Sequence, residues 1–194
     1  RAALEGTQSG MPRPDALVET SLLKAEMVLR TLDVDCGMAN EGSYGPIDRL
    51  PLNPAGVEIM AFIDRKRGIR LIETLTTHRT IWRLMRFKAG DPDRLLALKG
   101  MGFPRYGVFV GCSSDMSMPI KGLETVGEVI AAMDREARRS DDGKAVLYSD
   151  MRAHRNPTRM RVLRALSWKL ARRLATLCPK CRAPGFGSIG SRRG

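Results

Sequence analysis

Apolar residues recur at helical spacing over 15–32, where Val18, Leu22, Ala25, Leu29 and Leu32 share one side of a 3.6-residue period. The spacing predicts an amphipathic helix with Asp15 available as its cap. A short strand-like run then leads into C-G-M-A-N-E-G-S-Y-G-P (36–46), whose glycines and Pro46 predict a tight loop. V-E-I-M-A-F-I (57–63) and I-R-L-I-E-T-L (69–75) flank D-R-K-R-G, which predicts a β-hairpin turning at Gly68.

Further on, Asp91-Pro92 opens and Gly100 closes a short helical stretch. Y-G-V-F-V-G-C (106–112) reads as a buried strand. T-V-G-E (125–128) has the form of a capping box, and Val126, Ile130, Met133 and Ala137 continue it as an amphipathic helix. K-A-V-L-Y-S-D (144–150) returns as a strand. Asn156-Pro157 then opens a last helix running to about Leu177. Helices interleaved with strands predict an α/β fold, a mixed sheet with flanking helices. The organisation expected is an α/β domain over 1–177 and an incomplete zinc-ribbon-like tail over 178–194.

Charge changes this picture once it is located. The chain has 33 Lys and Arg against 21 Asp and Glu, a net charge of +12. Residues 151–194 hold 12 of the basic residues and none of the acidic ones, so 1–150 balances at 21 against 21. A segregated basic block suits a polyanion or phosphate partner, or forms a solvated helix face. No apolar run reaches the ~18 residues of a membrane span and no secretory pattern opens the chain, so a membrane role is not expected and the cytoplasm is the compartment expected. Arg1 and the open-looking final stretch suggest a fragment of a longer reading frame. Of the four cysteines, Cys178 and Cys181 form a C-P-K-C pair that reads as metal-binding or redox chemistry. Two thiolates fill only half of a tetrahedral zinc site. The histidines, His78 and His154, have no Cys or Ser at a triad spacing.

Two stretches are candidates for ligand chemistry. S-D-M-R-A-H-R-N-P-T-R-M (149–160) leaves a strand and enters a helix, a place where backbone N–H groups and the helix dipole suit phosphate. Arg152, Arg155, Asn156 and Arg159 surround that terminus. Arg159 shares the side of the buried stripe Leu163, Leu166, Leu170 and Leu174, so it needs an anionic partner, either a ligand or a carboxylate such as Asp150. The opposite face carries Arg161, Arg164, Lys169 and Arg172 around Trp168, a pattern that suits single-stranded nucleic acid or a solvated surface. The second stretch is A-N-E-G-S-Y-G-P (39–46). Asn40, Glu41, Gly42 and Ser43 would let a ligand approach the backbone, with Glu41 holding Mg²⁺ or orienting water; the plainer reading is a turn with an exposed glutamate. Upstream, Glu19 and Lys24 lie on the helix that leads into it.

G-T-Q-S-G-M-P-R-P…E-T-S-L-L-K-A, A-N-E-G-S-Y-G-P, S-D-M-R-A-H-R-N-P-T-R-M and C-P-K-C-R-A-P-G-F-G together resemble an uncharacterised bacterial family, one of the domains of unknown function. Its members show A-S-E-G-S-F-G-P, M-R-A…N-P-T-R and a C-terminal zinc-ribbon-like element; this chain has Asn40 for Ser and Tyr44 for Phe. The resemblance implies a second cysteine pair downstream of Cys181, zinc bound only when that pair is present, and a knuckle here that is either disordered or metal-poor. At the level of fold the order of elements is similar to the inosine-triphosphate and Maf-type nucleotide pyrophosphatases. That similarity implies Glu19 and Glu41 as Mg²⁺ ligands, Lys24, Arg152 and Arg159 as phosphate ligands, and an N-terminal phosphate-binding strand that this chain lacks. The expectation is a Mg²⁺-dependent binder or hydrolase of nucleotides or phosphorylated small molecules, the alternative a nucleic-acid-binding module using the basic helix and a completed ribbon.

Overall fold

The computed structural model describes residues 14–46 and 54–187. Most of the G-T-Q-S-G-M-P-R-P stretch and the final seven residues lie outside them. In chain order the elements are α1 (Pro14–Leu32), β1 (Cys36–Pro46), β2 (Pro54–Asp64), β3 (Ile69–Thr77), β4 (Leu84–Lys88), α2 (Arg94–Gly100), β5 (Val108–Cys112), α3 (Val126–Arg139), β6 (Lys144–Ser149) and α4 (Pro157–Ala175). They form two compact units, one from Arg1–His78 with Arg161–Gly194 and one from Arg79–Met160. The chain thus divides at 78/79 and 160/161, with the cysteine tail inside the first unit.

In the first unit β1, β2 and β3 form an antiparallel sheet in that order. β2 is central and buried on both sides. Val57 and Ile59 pack against Leu17 of α1, and Ile63 against Ala25 and Leu29. On the other side Met60 and Leu71 meet Leu166 and Leu170 of α4. This two-sided burial is why V-E-I-M-A-F-I is so apolar. The expected hairpin is present, with Gly68 at φ 66° in the turn. α1 begins at Pro14, which puts Asp15 inside the first turn rather than at the cap. Its buried stripe runs through Leu17, Ser21, Ala25 and Leu29, which leaves Leu32 66% exposed, contrary to the spacing argument.

The main departure is β1. The stretch read as a glycine loop is a strand of 11 residues paired along its whole length with β2. Gly37 and Gly42 serve close approach, not turning. A Cβ at Gly37 would stand 2.7 Å from the Ala25 carbonyl oxygen, and one at Gly42 would stand 2.4 Å from Glu58 Oε2.

In the second unit β4, β6 and β5 form another antiparallel sheet, covered on one face by α3. Val108, Val110, Ala145 and Leu147 pack there against Val129, Ala132 and Met133. The capping box forms as the sequence implies: Glu128 N–H donates to Thr125 Oγ1 (3.2 Å) and Thr125 N–H to Glu128 Oε2 (3.1 Å). β4 went unread because L-M-R-F-K is short and buries only Phe87. The α/β class stands, but the strands sort into two antiparallel sheets. Even β5 and β6, with α3 between them, run antiparallel, so the crevice that parallel strands open at their carboxyl ends is not formed there. Among the described residues no helix is long and apolar enough to cross a membrane.

Candidate functional site

The strand conformation of 36–46 redistributes the expected ligands, because successive side chains of a strand point to opposite faces. Glu41 faces α1 and forms an ion pair with Lys24. Ser43 shares that face by alternation, while Asn40 and Gly42 share the other face with Tyr44. The sequence put Lys24 and Glu41 in one site, and the fold brings these two together. Glu19 is exposed on α1.

On the other face the motif builds an interlock. Glu58 is fully buried, its carboxylate lies against Gly42, and Tyr44 donates its hydroxyl proton to Glu58 Oε1 at 2.7 Å. The Tyr44 ring lies over Gly56, where a Cβ would stand 2.2 Å from Cε1. The two glycines therefore make room for a buried carboxylate and a ring, and E-G-S-Y-G reads as a packing motif.

The 150–159 turn belongs to the second unit. Asp150 is buried, and Arg152 grips it through Nε (3.1 Å) and Nη2 (2.7 Å) while its guanidinium covers the Phe109 ring at 5.1 Å. So the arginine that pairs with Asp150 is Arg152. Arg159 Nη1 instead donates to the Met151 carbonyl at 2.5 Å. Asn156 is fully buried and caps α4: its Oδ1 accepts from Arg159 N–H (3.0 Å) and its Nδ2 donates to the Asp150 carbonyl (3.3 Å). Arg155 donates to the Leu123 carbonyl (3.1 Å) and to Glu124 (3.3 Å). The side chains expected to hold phosphate are engaged in fixing the turn. Lys24, Asn40, Glu41, Gly42 and Ser43 lie in one unit and Arg152, Arg155, Asn156 and Arg159 in the other. Among the described residues no three His, Cys, Asp or Glu side chains converge as metal ligands.

The remaining candidate is α4, from Arg161 onward in the first unit. Val162, Leu166 and Leu170 are buried, the two leucines against the sheet. Lys169 and Arg173, four residues apart, both reach Glu73 of β3, at 2.8 and 2.9 Å. Glu73 is only 6% exposed. Burial raises its pKa, yet the hydrogen bonds and charges of Lys169 and Arg173 outweigh that and hold it below the ordinary carboxylate value. Lys169 therefore belongs to this clamp and not to the outward basic face. What remains outward is Arg161, Arg164, Trp168 and Arg172. Trp168 is 68% exposed, with Arg164 and Arg172 one turn to either side. None of these three arginines has an ion-pair partner among the described residues. At 1.5 Å per residue the face is about 16 Å long. The Glu73 clamp was missed, although two basic residues four apart on the flank of a leucine stripe are a usable signal.

Of the two outcomes expected for the knuckle, disorder is not the one found: over its described residues the cysteine tail has a defined form. Cys178 N–H donates to the Ala183 carbonyl (2.8 Å) and Arg182 N–H to the Cys178 carbonyl (2.9 Å), with Leu177 and Pro184 bridged. Arg182 takes φ 61° to close the turn. Arg173 Nε holds the Gly185 carbonyl at 3.2 Å, and Gly185 sits so close to Leu71 that a Cβ would be 2.8 Å from it. These contacts with Arg173 of α4 and Leu71 of β3 tie the tail into the first unit. The backbone N–H groups of Cys181 and Lys180 point at the Cys178 sulfur and lower its pKa. That environment suits a thiolate ligand, but the described residues supply only two of the four that a structural zinc prefers.

These features define an α/β protein of two antiparallel-sheet units, with an exposed arginine and tryptophan face on α4. Residues 24–194 match the family described as Domain of unknown function (DUF6671), and the chain belongs to it. No curated protein and no solved structure matches the chain.

Proposed function

We propose that the protein binds single-stranded nucleic acid along the outward face of α4. The observation that carries this reading is Trp168, exposed between Arg164 and Arg172 on a helix whose opposite face is buried. A large aromatic left in solvent among cations has little to gain there by packing. It does offer a π-face for a base, while the arginines track the phosphates, a combination that binds single strands with little sequence preference. Arginine suits this role because its planar guanidinium both stacks and makes paired hydrogen bonds to phosphate. The excess positive charge of 151–194 supplies the long-range attraction.

A Mg²⁺-dependent hydrolase of nucleotides or phosphorylated small molecules has less support. It needs converging carboxylates, whereas Glu41 is paired with Lys24 and Glu19 stands exposed on α1. The Cys178 and Cys181 hairpin is proposed as half of a structural zinc site, with Lys180 and Arg182 adding positive charge beside it in sequence.

The test is titration of a labelled oligo(dT) into the protein and its Trp168→Ala variant. Base stacking is worth about 1–3 kcal/mol, so the variant is expected to bind about 5- to 150-fold more weakly. Equal affinity of the two proteins would remove Trp168 from the interface and this reading with it.

A further inference from the structure

Within the first unit, the C-terminal half of α1 and the end of the β2–β3 hairpin enclose a recess of about 270 Å³, lined by Glu26, Leu29, Arg30, Ile63, Arg65 and Arg70. Its apolar lining is Leu29 and Ile63, each 3% exposed. Three arginines share the recess with a single carboxylate. Arg70 Nη2 lies 2.8 Å from Glu26 Oε1, and Arg30 Nη2 lies 4.0 Å from Glu26 Oε2. Arg65 is turned to the Val34 carbonyl at 3.0 Å and stands 3.9 Å from Asp33, a carboxylate wholly in solvent and therefore screened.

We propose that this recess binds a small phosphate monoester. Counting the lining groups, three guanidinium charges against one carboxylate leave +2, which a phosphate dianion matches. Closing the end of α1 does not account for all three arginines. Arg65 serves a backbone carbonyl just beyond the helix, but the Arg70 contact is to a side chain and Arg30 has only the distant one. Each guanidinium has five N–H donors in a planar fork suited to phosphate oxygens. The apolar wall gives the ester carbon a dry surface. The volume falls just below the ~300–1,000 Å³ of ordinary ligand pockets, so a phosphate with a short organic part fits and a whole dinucleotide does not. Glu26 orients Arg70 and also opposes an anion, which sets its role apart from that of the arginines. The recess lies on the α1 side of the sheet, so the proposal stands independently of nucleic-acid binding by α4.

The experiment is calorimetric titration of the whole chain with glycerol phosphate, and separately with inorganic phosphate and sulfate, at constant ionic strength. Glycerol phosphate is expected to bind more tightly than sulfate, and more tightly at pH 7.5 than at pH 5, because the phosphate gains its second charge near a pKa of about 6. Arg70→Gln should weaken binding at least about tenfold, the 1.4 kcal/mol of one lost charge-assisted contact. Glu26→Gln should strengthen it, a change that misfolding would not produce. A native far-UV circular dichroism spectrum and cooperative thermal melt report that each variant is folded. Absence of glycerol phosphate binding, equal response to sulfate, or affinity untouched by Arg70→Gln would each overturn the proposal.

Discussion

Replacing Glu73 by glutamine tests the packing that presents α4. The change keeps the size of the side chain and removes its charge, so the cost is electrostatic. Glu73 has a side chain 7% exposed, and its two partners differ: Arg173 is 17% exposed, Lys169 51%. Removing one member of a buried ion pair costs about 3–5 kcal/mol. Arg173 keeps the Gly185 carbonyl at 3.2 Å and the Ile72 carbonyl at 3.4 Å as acceptors, which reduces the expected loss to about 2–3 kcal/mol. Lys169→Met should cost no more than about 1 kcal/mol, since half of that side chain is in water and its attraction is screened. Urea denaturation followed by circular dichroism measures both. The pH dependence carries a sign. The Glu73 pKa is lowered by folding, so its contribution is full above the unfolded value of about 4.3 and is lost as pH falls through the lower folded value. The stability gap between the native protein and Glu73→Gln should therefore narrow on acidification below that range. A cost under about 1 kcal/mol for Glu73→Gln, or a Lys169→Met cost equal to it, would refute the clamp.

Two glycine substitutions should move stability in opposite directions. Gly42→Ala drives a Cβ into the buried Glu58 carboxylate and is expected to cost about 3 kcal/mol or more. Gly127→Ala meets nothing within 4 Å inside α3 and should stabilise by about 0.5–1 kcal/mol; thermal melts of the two variants read both. In metal-free protein, alkylation by iodoacetamide should reach Cys178 at lower pH than Cys36. Backbone N–H groups lower the first thiol, while desolvation and the Asp64 carboxylate raise the second. Mass spectrometry of the labelled peptides across pH decides the order.

Much of the architecture was legible because several elements obey local rules. The Thr125 to Glu128 capping box, the Asn156 cap and the Gly68 hairpin all formed where residue chemistry put them. The glycines of 36–46 defeated the same reasoning, since a glycine that turns the chain and a glycine that admits a neighbour look alike in sequence. Only Glu58 and Ala25, distant along the chain, tell them apart. The arginines of 152–159 carry a related ambiguity: a cation beside a helix start suits an anion, and here Arg152 engages Asp150 while Arg159 donates to the Met151 carbonyl. The α4 stripe fared better. Leu166 and Leu170 pack as the periodicity requires, and Trp168 stands outward as the helical wheel places it.

The most direct measurement of the central claim is the salt dependence of oligo(dT) binding by the native protein and by the Arg161→Gln, Arg164→Gln, Arg172→Gln triple variant. Each phosphate neutralised on a single strand contributes a slope of about −0.7 in log K against log salt. Three arginines therefore account for a slope of about −2. The native protein should show at least that slope, and the triple variant should lose about 2 of it along with most of its affinity. The same slope in both proteins would contradict binding along α4.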